Sequence, residues 1–153
     1  MPSRFCVIAL ALAVAGTAAA QSLPAHSTWK LNTAKSQYTS PMPKNVTLVV
    51  DSVPGGIRVD VKGTAADGSA MAFNYTQTAD GKEYPIKGSP DYDAATSKRI
   101  DDATTEVVRK KGGKVMQTLR VTLSKDGRTF SVKTTGTNAK GEKLNNTAIY
   151  DKQ

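Results

Sequence analysis

Six glycine-bearing turn signals punctuate the chain, and their spacing leaves room only for short strands between them. They are Pro54-Gly55-Gly56, Asp67-Gly68, Asp80-Gly81, Gly112-Gly113, Asp126-Gly127 and Lys140-Gly141. Counted between the last glycine of each, the intervals are 12, 13, 32, 14 and 14 residues. Asp-Gly and Gly-Gly supply the positive φ angles that tight hairpin turns require, so each marks a reversal between antiparallel strands. The long interval accommodates one or two further reversals, one of them at Asp102-Ala103.

Between the turns the apolar residues recur with a period of two. Val46, Leu48 and Val50 alternate with Asn45, Thr47 and Val49, and Ile57, Val59 and Val61 alternate with Arg58, Asp60 and Lys62. This is the pattern of a sheet with one buried and one wet face. Met71, Phe73 and Tyr75 follow, then a piece from Tyr84 to Ile86, two pieces around Arg99-Ile100-Asp101 and Thr105 to Arg109, and Val115, Leu119, Val121 and Leu123. Phe130 and Val132, then Leu144, Ala148 and Tyr150, complete the series. No window of eleven residues beyond the first twenty carries helical apolar spacing. The fold class is therefore all-β, an antiparallel up-and-down meander of 8–10 strands in which each strand pairs with its sequence neighbour. A meander of this length leaves two exposed edges unless it closes, so a barrel is expected, with a two-sheet sandwich as the alternative.

The first twenty residues stand apart. Arg4 precedes an apolar stretch from Phe5 to Val14, and the segment ends on Thr17-Ala18-Ala19-Ala20. This is the layout of a signal peptide (1–20) cleaved near Ala20-Gln21, leaving one domain (21–153) that is periplasmic or secreted. Arg4 is the segment's only charged residue, so the net charge falls from +8 to +7 on its removal, and Cys6, the only cysteine, goes with it. Thiol chemistry and a disulfide framework are thereby excluded from the domain. A membrane-spanning barrel is not expected either. The face opposite Ile57, Val59 and Val61 is charged, and aromatic residues at 6% of the chain are too few for two interfacial girdles.

The residue types required for catalysis are scarce. A zinc site needs several Cys or His ligands, and a Ser-His nucleophile needs a histidine placed by the fold. His26, the only histidine, precedes the first expected strand. Asp91, Asp93, Asp101 and Asp102 form close carboxylate pairs without the closing Glu of an EF-hand, and Asp67, Asp80 and Asp126 each precede a turn glycine. Gly112-Gly113-Lys114 lacks the hydroxyl residue of a phosphate loop, since Val115 follows. The expectation is a protein that is not an enzyme, with no cofactor and no metal.

The inward-facing positions carry more information. Phe73, Tyr75, Tyr84, Phe130 and Tyr150 share the apolar face. Parity adds Gln117 through Val115, Leu119 and Val121, and Asn146 through Leu144 and Ala148. A few polar groups in an apolar lining are the composition of a ligand pocket, and small barrels either fill with side chains or hold one small molecule. These seven residues are the candidate ligand lining. Ser36 to Lys44, with Pro41 and Pro43, and Lys87 to Asp93 read as loops at an opening. Arg109, Lys110, Lys111 and Lys114 cluster at one hairpin tip as a candidate contact for an anionic envelope partner. Nucleic acid is not expected, because no aromatic residue lies between Tyr92 and Phe130 for base stacking.

The meander, Trp29 entering the first strand within Ser27-Thr28-Trp29-Lys30-Leu31, and the closing Ile149-Tyr150-Asp151-Lys152 resemble the lipocalin and fatty-acid-binding group of barrels. The stretch from Tyr84-Pro85-Ile86-Lys87-Gly88-Ser89-Pro90 through Arg99-Ile100-Asp101 to Arg109–Lys114 also resembles a family of small exported bacterial proteins without an assigned activity. The resemblance implies a lipocalin-like barrel holding a small apolar or amphipathic ligand. The alternative from a different class is a protein-interaction module, such as an inhibitor of an envelope-attacking hydrolase, acting through its rim loops and the basic tip.

Overall fold

The computed structural model describes residues 23–153 apart from Ala79, so the leader expected at 1–20, its cleavage point and Cys6 lie outside the described residues. Ten strands run in order: β1 (Ser27–Leu31), β2 (Lys44–Val53), β3 (Gly56–Thr64), β4 (Ala70–Gln77), β5 (Asp80–Pro85), β6 (Ala94–Arg99), β7 (Thr104–Lys111), β8 (Lys114–Leu123), β9 (Thr129–Thr137) and β10 (Lys143–Lys152). They form one antiparallel sheet in the order β4-β3-β2-β1-β10-β9-β8-β7-β6-β5. The first and last strands meet, with Trp29 opposite Lys152 and Leu31 opposite Tyr150. The meander is thus a nearly closed barrel of lipocalin-like architecture, with two reversals inside the long interval of the sequence. No helix of the described residues is long and apolar enough to cross a membrane.

The closure has a gap at an unexpected place. β4 and β5 are neighbours in sequence, yet they are the two free edges of the sheet. Only an isolated antiparallel bridge joins β4 to the segment beyond β5, through Asn74 N–H to the Lys87 carbonyl and Lys87 N–H to the Asn74 carbonyl, both at 2.9 Å. One donor is missing on β5: Pro85, two residues before Lys87, has no N–H to give. The reversal also falls between Gln77 and Asp80, which places the Asp80-Gly81 pair inside β5 rather than at a turn tip.

Alternation predicted the core well. Val46, Leu48, Val50, Ile57, Val59 and Val61 are all buried, and Arg58 and Asp60 pair on the outer face at 2.8 Å. The largest buried group is an aromatic stack on the closing strands. Trp29 meets Phe130 edge to face, 4.9 Å between centroids, and Phe130 stacks on Tyr150 at 4.7 Å and 10°. Phe130 and Tyr150 are direct cross-strand partners, and the Trp29 Nε1–H donates to the Ser27 hydroxyl at 2.8 Å.

Val115 departs from the expected alternation: it is 54% exposed. Arg109 lies opposite Gln117 while Lys110 lies opposite Val115, so β8 carries an extra residue, Met116. This bulge shifts the phase of the strand, directing Met116 against the core and Val115 to solvent. The bulge requires Gly136 on β9. A Cβ there would fall 2.2 Å from the Met116 carbonyl oxygen, and its φ of 127° lies outside the range of other residues.

Aspartates lock the turns, as the position of Asp67 and Asp126 before glycine implied, and Asp101, read as half of a carboxylate pair, does the same. Asp67 accepts the Ser69 N–H, Asp126 the Arg128 N–H, and Asp101 those of Ala103 and Thr104, all at 2.8–3.0 Å. Hydrogen bonds hold these carboxyls, and that of Asp80, below the ordinary aspartate range. The Ser69, Thr78 and Ser124 hydroxyls lead for Asp67, Asp80 and Asp126, and the Ala103 amide leads for Asp101.

Both the stack and the turn carboxylates have measurable effects on stability. Phe130→Ala removes the middle ring of the stack and is expected to cost about 3–5 kcal/mol in urea unfolding, whereas replacement of exposed Val115 leaves the midpoint nearly unchanged. Because the four aspartates titrate lower folded than unfolded, their stabilisation is complete above the unfolded value of about 4 and disappears as the pH falls through the folded values. The urea midpoint should therefore fall below about pH 4. Asp101→Asn with Asp126→Asn should flatten that slope, and an unchanged slope would show that these turns do not carry it.

Candidate functional site

Thr105 and Val107 of β7 are buried, and Arg109 continues their phase into the barrel rather than toward the hairpin tip. Its guanidinium lies over three rings: Tyr92 at 5.2 Å, Phe73 at 5.4 Å and Tyr75 at 5.7 Å from the centroids. The buried Nε has no hydrogen-bond acceptor. The ion pairs found among the described residues join other side chains, and none includes Arg109. The side chain is half-buried, so the ring faces replace only part of its lost hydration and an anion would restore more of it.

Phenols surround this cation. Tyr92, delivered by the loop between β5 and β6, shares side-chain hydrogen bonds with Arg109 and with Gln117. Burial pushes the Tyr92 hydroxyl above the ordinary tyrosine range, and Arg109 opposes the shift. The same balance holds at Tyr38, from the loop between β1 and β2, and at Tyr150, where burial is again the leading cause. These phenols therefore stay neutral and present hydroxyl dipoles around one fixed positive charge. Gln117 is 4% exposed and is the ladder partner of Arg109. The pair continues the phase of Val107 and Leu119, and the Met116 bulge begins just beyond it.

The seven residues expected to line a pocket divide into four groups. Phe73, Tyr75 and Gln117 gather around Arg109, with Tyr150 at the boundary of the core stack. Phe130 lies within that stack, against Trp29. Asn146 is spent on anchoring the strap over the opening: its Oδ1 accepts the Thr39 N–H at 2.9 Å and its Nδ2 donates to the Ser40 hydroxyl at 3.0 Å. The strap is fixed further by the Gln37–Thr147 bridge. Tyr84 is half-buried and donates to Asp80 at 2.9 Å, away from the Arg109 cluster.

The four basic residues assigned to the hairpin tip also separate. Arg109 turns inward, and Lys110 pairs with Glu83 at 2.8 Å. Lys111 and Lys114 remain exposed at the tip. Asp93, read as half of a carboxylate pair, accepts the Gly112 N–H at 2.8 Å and ties that hairpin to the β5–β6 loop. His26 is at the surface, 3.7 Å from Asp51.

A pocket of about 270 Å³ opens where the wall is weakest, at the junction of β4 with Lys87 and Gly88. Val61, Ala72 and Phe73 line it together with the charged Asp60, Lys62 and Lys87. Phe73 is shared: its side chain borders this pocket and also packs under the Arg109 guanidinium. Tyr38, Tyr92 and Arg109 were not among the expected lining. Arg109 was legible from its phase with Val107, but the tyrosines come from loops, whose side-chain directions follow no period.

A guanidinium without a carboxylate partner affects stability in a measurable way. Arg109→Met is expected to leave unfolding free energy unchanged or to raise it by up to about 2 kcal/mol, because an uncompensated charge is replaced by an apolar chain of similar reach. A loss larger than that in urea unfolding would show the guanidinium to be a structural strut held by its rings. Comparison of the chain with protein-family models, curated proteins and solved structures finds no match.

Proposed function

We propose that this is an exported binding protein whose barrel holds a small amphipathic molecule, with the molecule's acidic head at Arg109. One observation carries the reading: a guanidinium faces the interior among Phe73, Tyr75 and Tyr92, and no carboxylate of the described residues pairs with it. An anionic head supplies the missing counter-charge, and the Tyr92 and Gln117 side chains supply further polar contacts beside it. Phe73 and Tyr75 offer the apolar surface for the portion next to the head. The Trp29–Phe130–Tyr150 stack fills the barrel beyond, so the ligand does not extend past it. Export rests on the leader-like character of the first twenty residues.

The test is fluorescence titration with dansyl-undecanoic acid and its neutral amide. The wild-type chain should bind the acid more tightly than the amide. Arg109→Gln should weaken acid binding about tenfold or more, the loss expected for one charge-assisted hydrogen bond, while leaving the amide unaffected. Charge reversal at exposed Lys111 and Lys114 should change neither. Equal binding of acid and amide by the wild type, or an acid affinity indifferent to Arg109→Gln, would defeat the proposal.

A further inference from the structure

Every neighbouring pair of strands but one in this barrel is joined by a ladder of at least three registered residues, and the exception is the junction of β4 with β5. There the wall is held by the single Asn74–Lys87 bridge, with two backbone hydrogen bonds. The β4 main chain on either side of that bridge has no strand beside it, since β4 ends the sheet. Opening this junction therefore sacrifices two hydrogen bonds, whereas opening any other requires a whole ladder to part. Local opening follows the region with the fewest such restraints.

What lies behind the junction gives that weakness a use. The 270 Å³ pocket is on it, and Phe73 in its lining is the residue whose ring contacts the Arg109 guanidinium at 5.4 Å. The opposite route, over the strap at 36–40, is tied down by Asn146, the Ser36 hydroxyl and the Gln37–Thr147 bridge. Gly88 sits at the junction in a left-handed conformation, φ 88°, and a Cβ there would fall 2.5 Å from the Ala72 carbonyl oxygen. The absence of a side chain at this one position is what allows the Lys87–Gly88 segment to lie against β4 and close the wall.

We infer that the junction between β4 and the Lys87–Gly88 segment is the passage by which the ligand enters and leaves. The Asn74–Lys87 bridge parts and Phe73 turns aside to admit an acidic head to Arg109. The apolar remainder of the ligand then rests in the pocket over Val61 and Ala72, beside Asp60, Lys62 and Lys87. The inference rests on the binding reading above and concerns the path and the outer half of the same site.

The test closes and wedges the passage in turn. Asn74 and Lys87 exchange both their hydrogen bonds, a pairing in which Cα atoms lie about 5.5 Å apart, within the span a disulfide bridges. Asn74→Cys with Lys87→Cys, made with Cys6→Ser so that no other thiol competes, can be compared oxidised and reduced. Release of dansyl-undecanoic acid to excess serum albumin should be about tenfold slower or more in the oxidised form if opening limits exchange. Gly88→Ala, which pushes the segment off β4, should accelerate release relative to wild type. Disulfide formation is verified by loss of alkylation at both cysteines, and if it does not form, the Gly88→Ala rate decides. Binding by both forms with equal release rates overturns the passage and leaves the binding reading intact. Failure of the reduced variant and the wild type to bind the acid removes both.

Discussion

The ladder between β1 and β10 joins what would otherwise be two separate sheets, β1 to β4 and β5 to β10. Strands on both sides of it carry the aromatic stack, Trp29 on β1, Tyr150 on β10 and Phe130 on β9. Hydrogen bonding and ring packing thus act across the same boundary. The stack gives the five-residue β1 enough buried surface to hold its place between two much longer strands. Closure at this position brings the two walls of the interior face to face.

Because the first and last strands are paired, the discontinuity of the sheet lies between β4 and β5. Pro85 leaves β5 one donor short, and the wall beside β4 is completed by one bridge. The same region is the approach to the charged interior. A well-laddered barrel with an apolar filling would be more stable than this one, so the gap and the guanidinium are both departures from the arrangement that packing alone favours. They lie within one residue's reach of each other, through Phe73. That proximity is the reason for treating them as parts of one binding device rather than as two unrelated defects.

Much of the architecture could be read before any coordinates. Period-two alternation identified the buried residues of β2 and β3, and glycine-bearing pairs located five of the reversals. Alternation failed at Val115 because it assumes an unbroken phase, and the Met116 bulge breaks it. The signal was present in Gly136, which reads only as a weak point in a strand until its closeness to the Met116 carbonyl is known. Arg109 illustrates the same limit. Grouped with Lys110, Lys111 and Lys114 it reads as part of a basic tip, whereas counted from Val107 it belongs to the interior. Tyr38 and Tyr92 were beyond such counting, because loops have no period to count.

The sequence by itself determined that this chain is an antiparallel all-β domain without thiol cross-links, since side-chain alternation and turn chemistry act over a few residues and are written locally. Only the tertiary structure decided where the sheet closes, where it stays open, and which charge it encloses. Those outcomes depend on residues more than a hundred positions apart, such as Trp29 with Phe130 and Asn32 with Asp151. They also depend on a phase shift at one bulge, which turns Val115 out to solvent. Local pattern sets the direction of each strand's faces, and the meeting of distant strands determines what those faces surround.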